Sequence, residues 1–598
     1  MAGGAVSAHA QGRRLRMHWG MLVIYLVGAA LLHLPHYGSN VGDITRDFYL
    51  HYNWAKEFAE NLAQGNPYPR WMFHGRLGLG EPVFIFYSPL YYHAVGLLAL
   101  AGLHAWAAMQ AASVLLTAAF AWLIYRTLAY RMAPGWAGFV GLVAMGSPFL
   151  VMLNYKFDGL AWAAAGYASH GLLFWSVFRP GADPRRMNGW AAVAVALAVG
   201  SHIVSALINL VCYSLLVLVP VGERWSWPGL ARRTAAWLAT VGLGLGLSGI
   251  YLVPALGYLG EIRTGVWDPS VPFTAFAWPV VTRLLFEQRW FSFQWTIALP
   301  ALLLAALAGA YVLRWRRSVD PFVWRPALLL AVAFFLASEL SFPVWSLPTP
   351  LLKVQLPFRF LSVVYTFAIV LAGLACWDAH RQGRRVWSGL LAGVLALSLL
   401  AGVATLVKAS YVDGSPLPTE LRAGRYTFEP FVPQLRAQGE CPGGDLGGDQ
   451  RCLERWASSG GFRGTPEYRL RWAGPGYPEF ARSGFEAGCE RAGVQCSASR
   501  RTRTGLAWSI SAPAASDVVL PVFHFPGWAV QVDGMRRAHV IDEATGLMRI
   551  RLEAGQEQQV EVVWVMSPLE RRGALVSAVA LVALGLWAAW RRRRGAAV

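Results

Sequence analysis

Gly573-Ala574-Leu575-Val576-Ser577-Ala578-Val579-Ala580-Leu581-Val582-Ala583-Leu584-Gly585-Leu586-Trp587-Ala588-Ala589-Trp590 runs without a charge into Arg591-Arg592-Arg593-Arg594. As a helix the apolar part measures about 27 Å, close to the roughly 30 Å hydrocarbon core of a bilayer. The four arginines assign its end to the cytoplasm. The span therefore enters from the other side, and the polar stretch 406–570 ahead of it is exocytoplasmic.

Working outward from that anchor, the other basic clusters fall between apolar runs. They are Arg13, Arg14 and Arg16; Arg185 and Arg186; Arg232 and Arg233; Arg314, Arg316 and Arg317; and Arg381, Arg384 and Arg385. With 56% hydrophobic and 14% charged residues, the chain reads as an integral membrane protein. The net charge of +19 is then positive-inside topology and argues against nucleic-acid binding. Spans fit at about 17–36, 105–125, 135–153, 160–178, 234–257, 296–313, 326–342, 360–378, 386–405 and 573–590. The region 187–220, between two basic clusters, is expected to cross out and back with Ser201-His202 at its tip. The first apolar run lacks a convincing small-residue cleavage site and reads as a retained span with a cytoplasmic N-terminus. If 86–103 also crossed, Arg126 and Arg131 would land outside. Its Phe86, Tyr87, Tyr91, Tyr92 and His93 suit an interfacial or re-entrant segment, which leaves about 12 spans.

The expected fold is thus an α-helical polytopic membrane protein with an exocytoplasmic β-rich domain, sandwich- or jelly-roll-like, before the last span. Its parts are a transmembrane domain over 1–405 with a large first outer loop at 37–85, an outer domain over 406–570, and a final helix and basic tail over 571–598. Strands are read at Val518–Phe523, Met548–Leu552 and Val560–Val565, with Asp533-Gly534 as a turn. Cys441, Cys452, Cys489 and Cys496 lie in this outer region, where thiols oxidise. Three pairings are open, and the sequence-local one, Cys441 with Cys452 and Cys489 with Cys496, is the expectation. Cys212 and Cys376 lie in spans as packing residues.

Chemistry-bearing residues gather on the outer side. The first loop holds Gly42-Asp43-Ile44-Thr45-Arg46-Asp47-Phe48-Tyr49-Leu50-His51, then Tyr68-Pro69-Arg70-Trp71, then Phe86-Tyr87-Ser88-Pro89-Leu90-Tyr91-Tyr92. Lys156, Asp158, His202 and Arg359 sit at outer ends of later spans. Polar groups at membrane depth are costly, so their clustering on one face points to a shared cavity. Blander roles compete: Asp43 and Asp47 as solvated helix-start residues, Arg70 as an interfacial partner of Trp71, Arg359 as a snorkelling cation, His202 as a structural turn residue.

The ordered pieces Asp47-x-x-x-His51, Gly65-x-x-Tyr68-Pro69-Arg70-Trp71, Gly78-x-Gly80-x-Pro82-x-Phe84-x-Phe86-Tyr87-x-Pro89-Leu90-x-Tyr92 and Tyr155-Lys156-x-Asp158-Gly159 are followed by others. These are Ser201-His202, Tyr251-Leu252-Val253-Pro254-Ala255-Leu256, Leu356-Pro357-Phe358-Arg359-Phe360-Leu361 and Phe525-Pro526-Gly527-Trp528. Together they resemble the bacterial multispan membrane proteins labelled 6-pyruvoyl-tetrahydropterin-synthase-related, which look like GT-C-type glycosyltransferases. Nothing in the chain resembles a pterin-synthase zinc site. Lys156 stands near a family Arg, and Ala161 and Trp162 stand where an acid is usual; Asp158 is the substitute.

The resemblance implies transfer of a sugar from a polyprenyl-phosphate-type donor to a glycan, lipid or protein acceptor at the outer face of the cytoplasmic membrane. An inverting reaction of this kind needs a carboxylate base and cations for the departing phosphate. Asp47 is the candidate base and Asp43 the second. Lys156, Arg359 and Arg70 are candidate phosphate ligands. His51, His202, Asp158, Tyr87 and Tyr92 are candidate substrate contacts. No cofactor is required; a divalent metal is the less favoured alternative, since Asp43, Asp47, His51 and Asp158 make a sparse ligand set. The membrane lipid, the lipid-linked donor and envelope-assembly proteins are the expected partners. Two other functions remain open: a transporter or flippase of lipid-linked glycans, and a non-catalytic glycan-assembly or binding protein.

Overall fold

In a computed structural model of the protein, the described residues are 2–37, 40–41, 46–155, 161–263, 291–314, 320–347, 351, 354, 357–408, 415–416, 468–497 and 499–595. The helices are α1 Ala2–Tyr37, α2 Arg46–Ala63, α3 Leu90–Leu100, α4 Ala105–Leu128, α5 Pro134–Met145, α6 Pro148–Tyr155, α7 Tyr167–Phe178, α8 Gly189–Ser201 and α9 Ile203–Leu218. They continue with α10 Trp227–Leu247, α11 Gly249–Gly257, α12 Phe291–Arg314, α13 Pro321–Ala337, α14 Leu361–Arg381, α15 Arg385–Val407, α16 Tyr477–Arg491 and α17 Pro568–Gly595.

Among the described residues, six helical segments are long and apolar enough to cross a membrane, or seven if the bent pair α10–α11 counts as one. The chain is a multi-pass membrane protein. Two of the remaining apolar helices are short: α8 has 13 residues and α9 16, about 20 and 24 Å. The expected straight span at 234–257 is instead two helices meeting at 82° beside Ser248. The expected span at 160–178 opens on a π-helical turn, Ala161–Gly166. Helix α3, within the ambiguous 86–103, has 11 residues and is about 16 Å long, too short to cross alone.

Helix α14 is the centre of the bundle, with every residue from Leu361 to Cys376 buried. A helix apolar on all sides finds its place only when surrounded by other helices. The peripheral helices show the reverse: Trp19, Val23, Val27 and Leu31 of α1 and Leu575, Val579, Val582 and Leu586 of α17 are exposed. Their spacing lays an apolar stripe along the outside, as lipid contact demands. Described arginines from several clusters come together at one end of the bundle, where Arg185 and Arg233 both pair with Glu223, and Arg131 pairs with Asp320.

The opposite end carries the first loop and a β-rich unit. The strands are β1 Asn40–Val41, β2 Ser415–Pro416, β3 Gln495–Cys496, β4 Arg500–Arg501, β5 Gly505–Ala512, β6 Ser516–Phe523, β7 Trp528–Val532, β8 Met535–Arg537, β9 Val540–Ile541, β10 Leu547–Leu552 and β11 Gly555–Trp564. Two antiparallel sheets, β6-β10-β9 and β3-β5-β11-β7-β8 with β4 beside β5, share one apolar core that includes Trp508, Leu520, Val530, Ile550 and Val562. Asp533 and Gly534 make the tight β7–β8 turn, both with positive φ (50° and 76°). Helix α16 packs on this unit, and Cys489 and Cys496 form a disulfide across a Cα separation of 6.1 Å. Cys441 and Cys452 lie outside the described residues.

Candidate functional site

Helix α2 organises the first loop because its apolar and polar residues separate by helical spacing. His51, Trp54, Ala55 and Phe58 are buried on one face. There Trp54 meets Tyr87 at 4.9 Å between ring centroids, and Phe58 meets Phe84 at 4.8 Å. His51 Nδ1 lies 2.5 Å from the Tyr92 hydroxyl, and its ring touches Trp54 and Tyr87 edge-on. Burial pushes the His51 imidazole down to about 4, so at neutral pH it is an uncharged hydrogen-bonding group.

His202 breaks the chain between α8 and α9 with extended backbone, φ −165° and ψ 118°. Its ring stacks on Trp162 (5.9 Å, 9°) and meets Tyr87 edge-on at 6.2 Å. Both His51 and Arg359 lie within electrostatic reach of it. Arg359, on the turn Pro357–Phe360 ahead of α14, holds its guanidinium 5.2 Å over the same Trp162 ring and donates from Nη1 to the Val354 carbonyl at 2.8 Å. Five residues singled out from sequence (His51, Tyr87, Tyr92, His202 and Arg359) therefore meet in one cluster. Trp162, read from sequence only as a departure from an acid, is the ring that joins two of them.

The 86–88 turn is fastened from two sides. Tyr251 donates its hydroxyl to the Phe86 carbonyl at 2.7 Å, and Ser88 donates to the Val199 carbonyl at 2.8 Å. Tyr87 is thereby aimed between His51 and His202.

Arg70 stands apart from this cluster. It is buried, its Nε sits 2.9 Å from Glu570, its Nη2 donates to the Ile250 carbonyl at 3.1 Å, and it covers the Tyr68 ring at 3.7 Å. Its charge is met at the start of α17, so it ties the first loop to α11 and to the last helix. Asp47 lies in the first turn of α2, four residues ahead of His51, in a helix whose first described residue is Arg46. Asp43, Lys156 and Asp158 lie outside the described residues.

A second polar centre was not read from the sequence. Glu57, 1% exposed, accepts hydrogen bonds from the backbone N–H of Phe73 (2.5 Å) and His74 (3.2 Å), from His74 Nδ1 (3.0 Å) and from Arg501 Nη2 of β4 (2.9 Å). Burial alone would raise its carboxyl, but His74, Arg501 and the Phe73 N–H together hold it down at about 2. Beside it, Trp71 packs on Phe525, Trp528 and Trp564, and Phe523 N–H donates to the Leu79 carbonyl at 3.1 Å. The Tyr-Pro-Arg-Trp and Phe-Pro-Gly-Trp pieces are thus two halves of one interface, between the first loop and the β unit.

Among the described residues no group of three or more His, Cys, Asp or Glu side chains is placed to hold a metal ion. What the cluster offers instead is one guanidinium, two imidazoles, two phenols and an indole face. That set suits an anion beside a polar, ring-shaped ligand.

The fold and the cluster define a multi-pass membrane protein with an aromatic, cation-bearing polar site at the end opposite its arginine clusters. No family model matches the chain, and no curated protein matches it. Among solved structures it is similar to the arabinofuranosyltransferase AftD from Mycobacteria, with a TM-score of 0.41 and 17% identity over 64% of this chain and 26% of that one. A mutant of the same enzyme gives 0.40 and 19%, over 66% and 28%. The chain spans about a quarter of the length of these proteins. Neither is a pterin synthase, and likeness this distant carries no argument about activity.

Proposed function

We propose that the protein is a GT-C-type glycosyltransferase acting at the exocytoplasmic face of the cytoplasmic membrane. It moves a sugar from a polyprenyl-phosphate-type donor to a hydroxyl of a glycan, lipid or protein acceptor. The observation that carries this reading is the convergence of His51, Tyr87, Tyr92, His202 and Arg359, from four separated stretches of chain, into one cluster.

In the proposed reaction the acceptor oxygen attacks the anomeric carbon from the face opposite the phosphate. The acceptor O–H proton passes to the Asp47 carboxylate, the bond from the anomeric carbon to the phosphate oxygen breaks, and the configuration inverts. The phosphate leaves with its electron pair and is met by Arg359, with Lys156 as the second cation. Neutral His51 and His202, with Tyr87 and Tyr92, hold sugar hydroxyls. No metal is required by this scheme. Arg70 is left out of it, because Glu570 already neutralises it.

Asp47→Asn keeps the shape of the side chain and removes the base. Turnover of lipid-linked sugar is expected to fall on the order of 10²–10⁴-fold with expression intact. Mass spectrometry of surface glycans and lipid-linked sugars checks it in cells carrying wild type, deletion or Asp47→Asn. The expected result is loss of one sugar unit and accumulation of its lipid donor in both altered strains. Normal glycans in a strain making folded Asp47→Asn protein would remove Asp47 as the base.

A second reading, a transporter of lipid-linked glycans, draws on the 82° break between α10 and α11. It predicts movement of lipid-linked sugar between leaflets of reconstituted vesicles without turnover.

A further inference from the structure

Three arginines from separate elements crowd one carboxylate at the end of the bundle where the arginines gather. Arg233 on α10 places Nη2 2.6 Å from Glu223 Oε1 and donates from Nη1 to the Val217 carbonyl at 2.7 Å. Arg185, in the connection between α7 and α8, pairs with the other oxygen, Oε2. Arg325, four residues into α13, has Arg233 and Glu223 within electrostatic reach. Both Glu223 oxygens are thus taken, and Arg325 Nε is buried without a hydrogen-bond partner among the described residues. Arg233 and Arg325 are 1% and 8% exposed. A buried charge is tolerated when an opposite charge meets it, and one carboxylate does not balance three guanidiniums.

The neighbourhood has no acid to spare. The connections 179–188, 219–226 and 315–320 contain three acids, Asp183, Glu223 and Asp320. Asp183 lies 3.4 Å from Arg186, and Asp320 pairs with Arg131. Against them the same connections carry six arginines: Arg179, Arg185, Arg186, Arg224, Arg316 and Arg317. The missing negative charge has to come from outside the chain.

Two indoles indicate its source. Trp225 and Trp227, beside Glu223 in sequence, are 59% and 75% exposed, with ring centroids 6.0 Å apart. Exposed indoles at the ends of spans sit at headgroup depth. Arg325 lies about 6 Å along α13 from its start, a depth that lipid phosphates reach.

We infer that this arginine cluster binds the phosphate headgroup of an acidic membrane lipid, with Arg185 and Arg325 as its cations and Trp225 and Trp227 at the headgroup level. Guanidinium meets phosphate through paired N–H groups, and basic pockets between spans on the cytoplasmic side recur as headgroup sites. The inference rests on the multi-pass fold and the positive-inside assignment of this end, and is independent of the transferase reading.

The test adds phosphatidylglycerol, phosphatidylcholine or inorganic phosphate to the full chain in a neutral detergent. Native mass spectrometry reads lipid affinity, and thermal unfolding reads stability. Wild type is expected to bind phosphatidylglycerol more tightly than phosphatidylcholine and to be stabilised by it. Arg185→Gln and Arg325→Gln should each weaken phosphatidylglycerol about five-fold. Arg381→Gln, at an exposed arginine of another cluster, should leave it unchanged. Arg325→Gln also separates binding from a packing role. It removes a buried charge that Arg233 repels, so the lipid-free variant should unfold no earlier than wild type while its stabilisation by lipid shrinks. Earlier unfolding with wild-type lipid affinity would make Arg325 a packing residue and overturn the site. Should Arg325→Gln fail to fold, Arg185→Gln decides, and unchanged affinity there overturns the site. Equal affinity for the two lipids, or an equal loss in Arg381→Gln, overturns it as attraction by bulk charge. Stabilisation by inorganic phosphate alone that matches the lipid's overturns the lipid in favour of a free anion.

Discussion

Arg359 holds its guanidinium over Trp162 and uses Nη1 on the Val354 carbonyl, whereas Arg70 is locked against Glu570 and the Ile250 carbonyl. Two arginines with the same charge thus lead to different predictions. Arg359→Gln removes a charge-assisted contact to the donor phosphate. It should lower kcat/KM about 10–100-fold, with kcat falling as well, in a protein that folds normally. Arg70→Gln leaves the Glu570 carboxylate buried without its cation, which costs about 3–5 kcal/mol. Thermal unfolding should show that loss, while kcat of the folded fraction stays near wild type. The role of Arg70 was not legible in the sequence, because the Glu570 carboxylate that holds it lies 500 positions further along the chain. Glu57 was missed for the same reason. Between Lys56 and Glu60 it looks like one more solvated charge, and its partner Arg501 is 444 residues away. Trp162 sits in Ala161-Trp162-Ala163-Ala164-Ala165-Gly166, which reads as plain apolar span; only the π-helical turn and the neighbouring His202 give that indole its place.

The Trp71–Gly80 hairpin of the first loop shows how an element can depend on one backbone position. Met72 and Glu81 exchange both backbone hydrogen bonds at 2.9 Å, and Gly80 between them takes φ +87°. A Cβ at Gly80 would run into the Trp71 indole, in a conformation that L-residues rarely adopt. Gly80→Ala therefore adds overpacking to backbone strain, about 2–5 kcal/mol together. It should expose the Trp71 side of the β unit to limited proteolysis. Local grammar of this kind was legible where it is self-contained. The Asp533-Gly534 pair needs only its own φ values to turn a hairpin, and the uncharged run before Arg591 needs only its length to be a helix. The start of α17 shows the boundary of that legibility. Ser567 and Glu570 exchange backbone N–H to side-chain hydrogen bonds at 3.2 and 2.8 Å, a reciprocal capping box. The helix consequently begins at Pro568, five residues before the apolar run that marked it in sequence. The break at Ser248 had no such mark, since Gly244, Gly246 and Gly249 occur in a run that is otherwise a good span.

The protein as a whole joins a membrane bundle to a β unit through a polar centre and an aromatic one, so its pH response should report on that junction. Glu57 has an ordinary value of 4.5 and is held at about 2 in the folded protein by His74, Arg501 and the Phe73 N–H, against the opposing effect of burial. It contributes about 3 kcal/mol that is fully present above pH 4.5 and is lost as pH falls towards 2. His74 is raised above its ordinary 6.5, because the Glu57 charge and hydrogen bond outweigh burial. Its share is present below pH 6.5 and is lost as pH rises through the raised value. His524, 2.9 Å from His539 in the β unit, has the opposite sign. Burial and then the His539 ring lower it to about 4, so folding is penalised progressively as pH falls from 6.5 towards 4. The junction should therefore hold best near neutral pH and weaken in two steps on acidification, an upper one from His524 and a lower one from Glu57. Hydrogen exchange of the 68–82 segment, followed against pH, reads the lower step directly. Glu57→Gln should abolish that step and raise exchange at every pH above 4.5. His524→Gln should flatten the upper step, seen in exchange of β6, without touching the lower one. A single step unaffected by Glu57→Gln would mean that the aromatic contacts of Trp71 hold the two units together without help from the buried carboxylate.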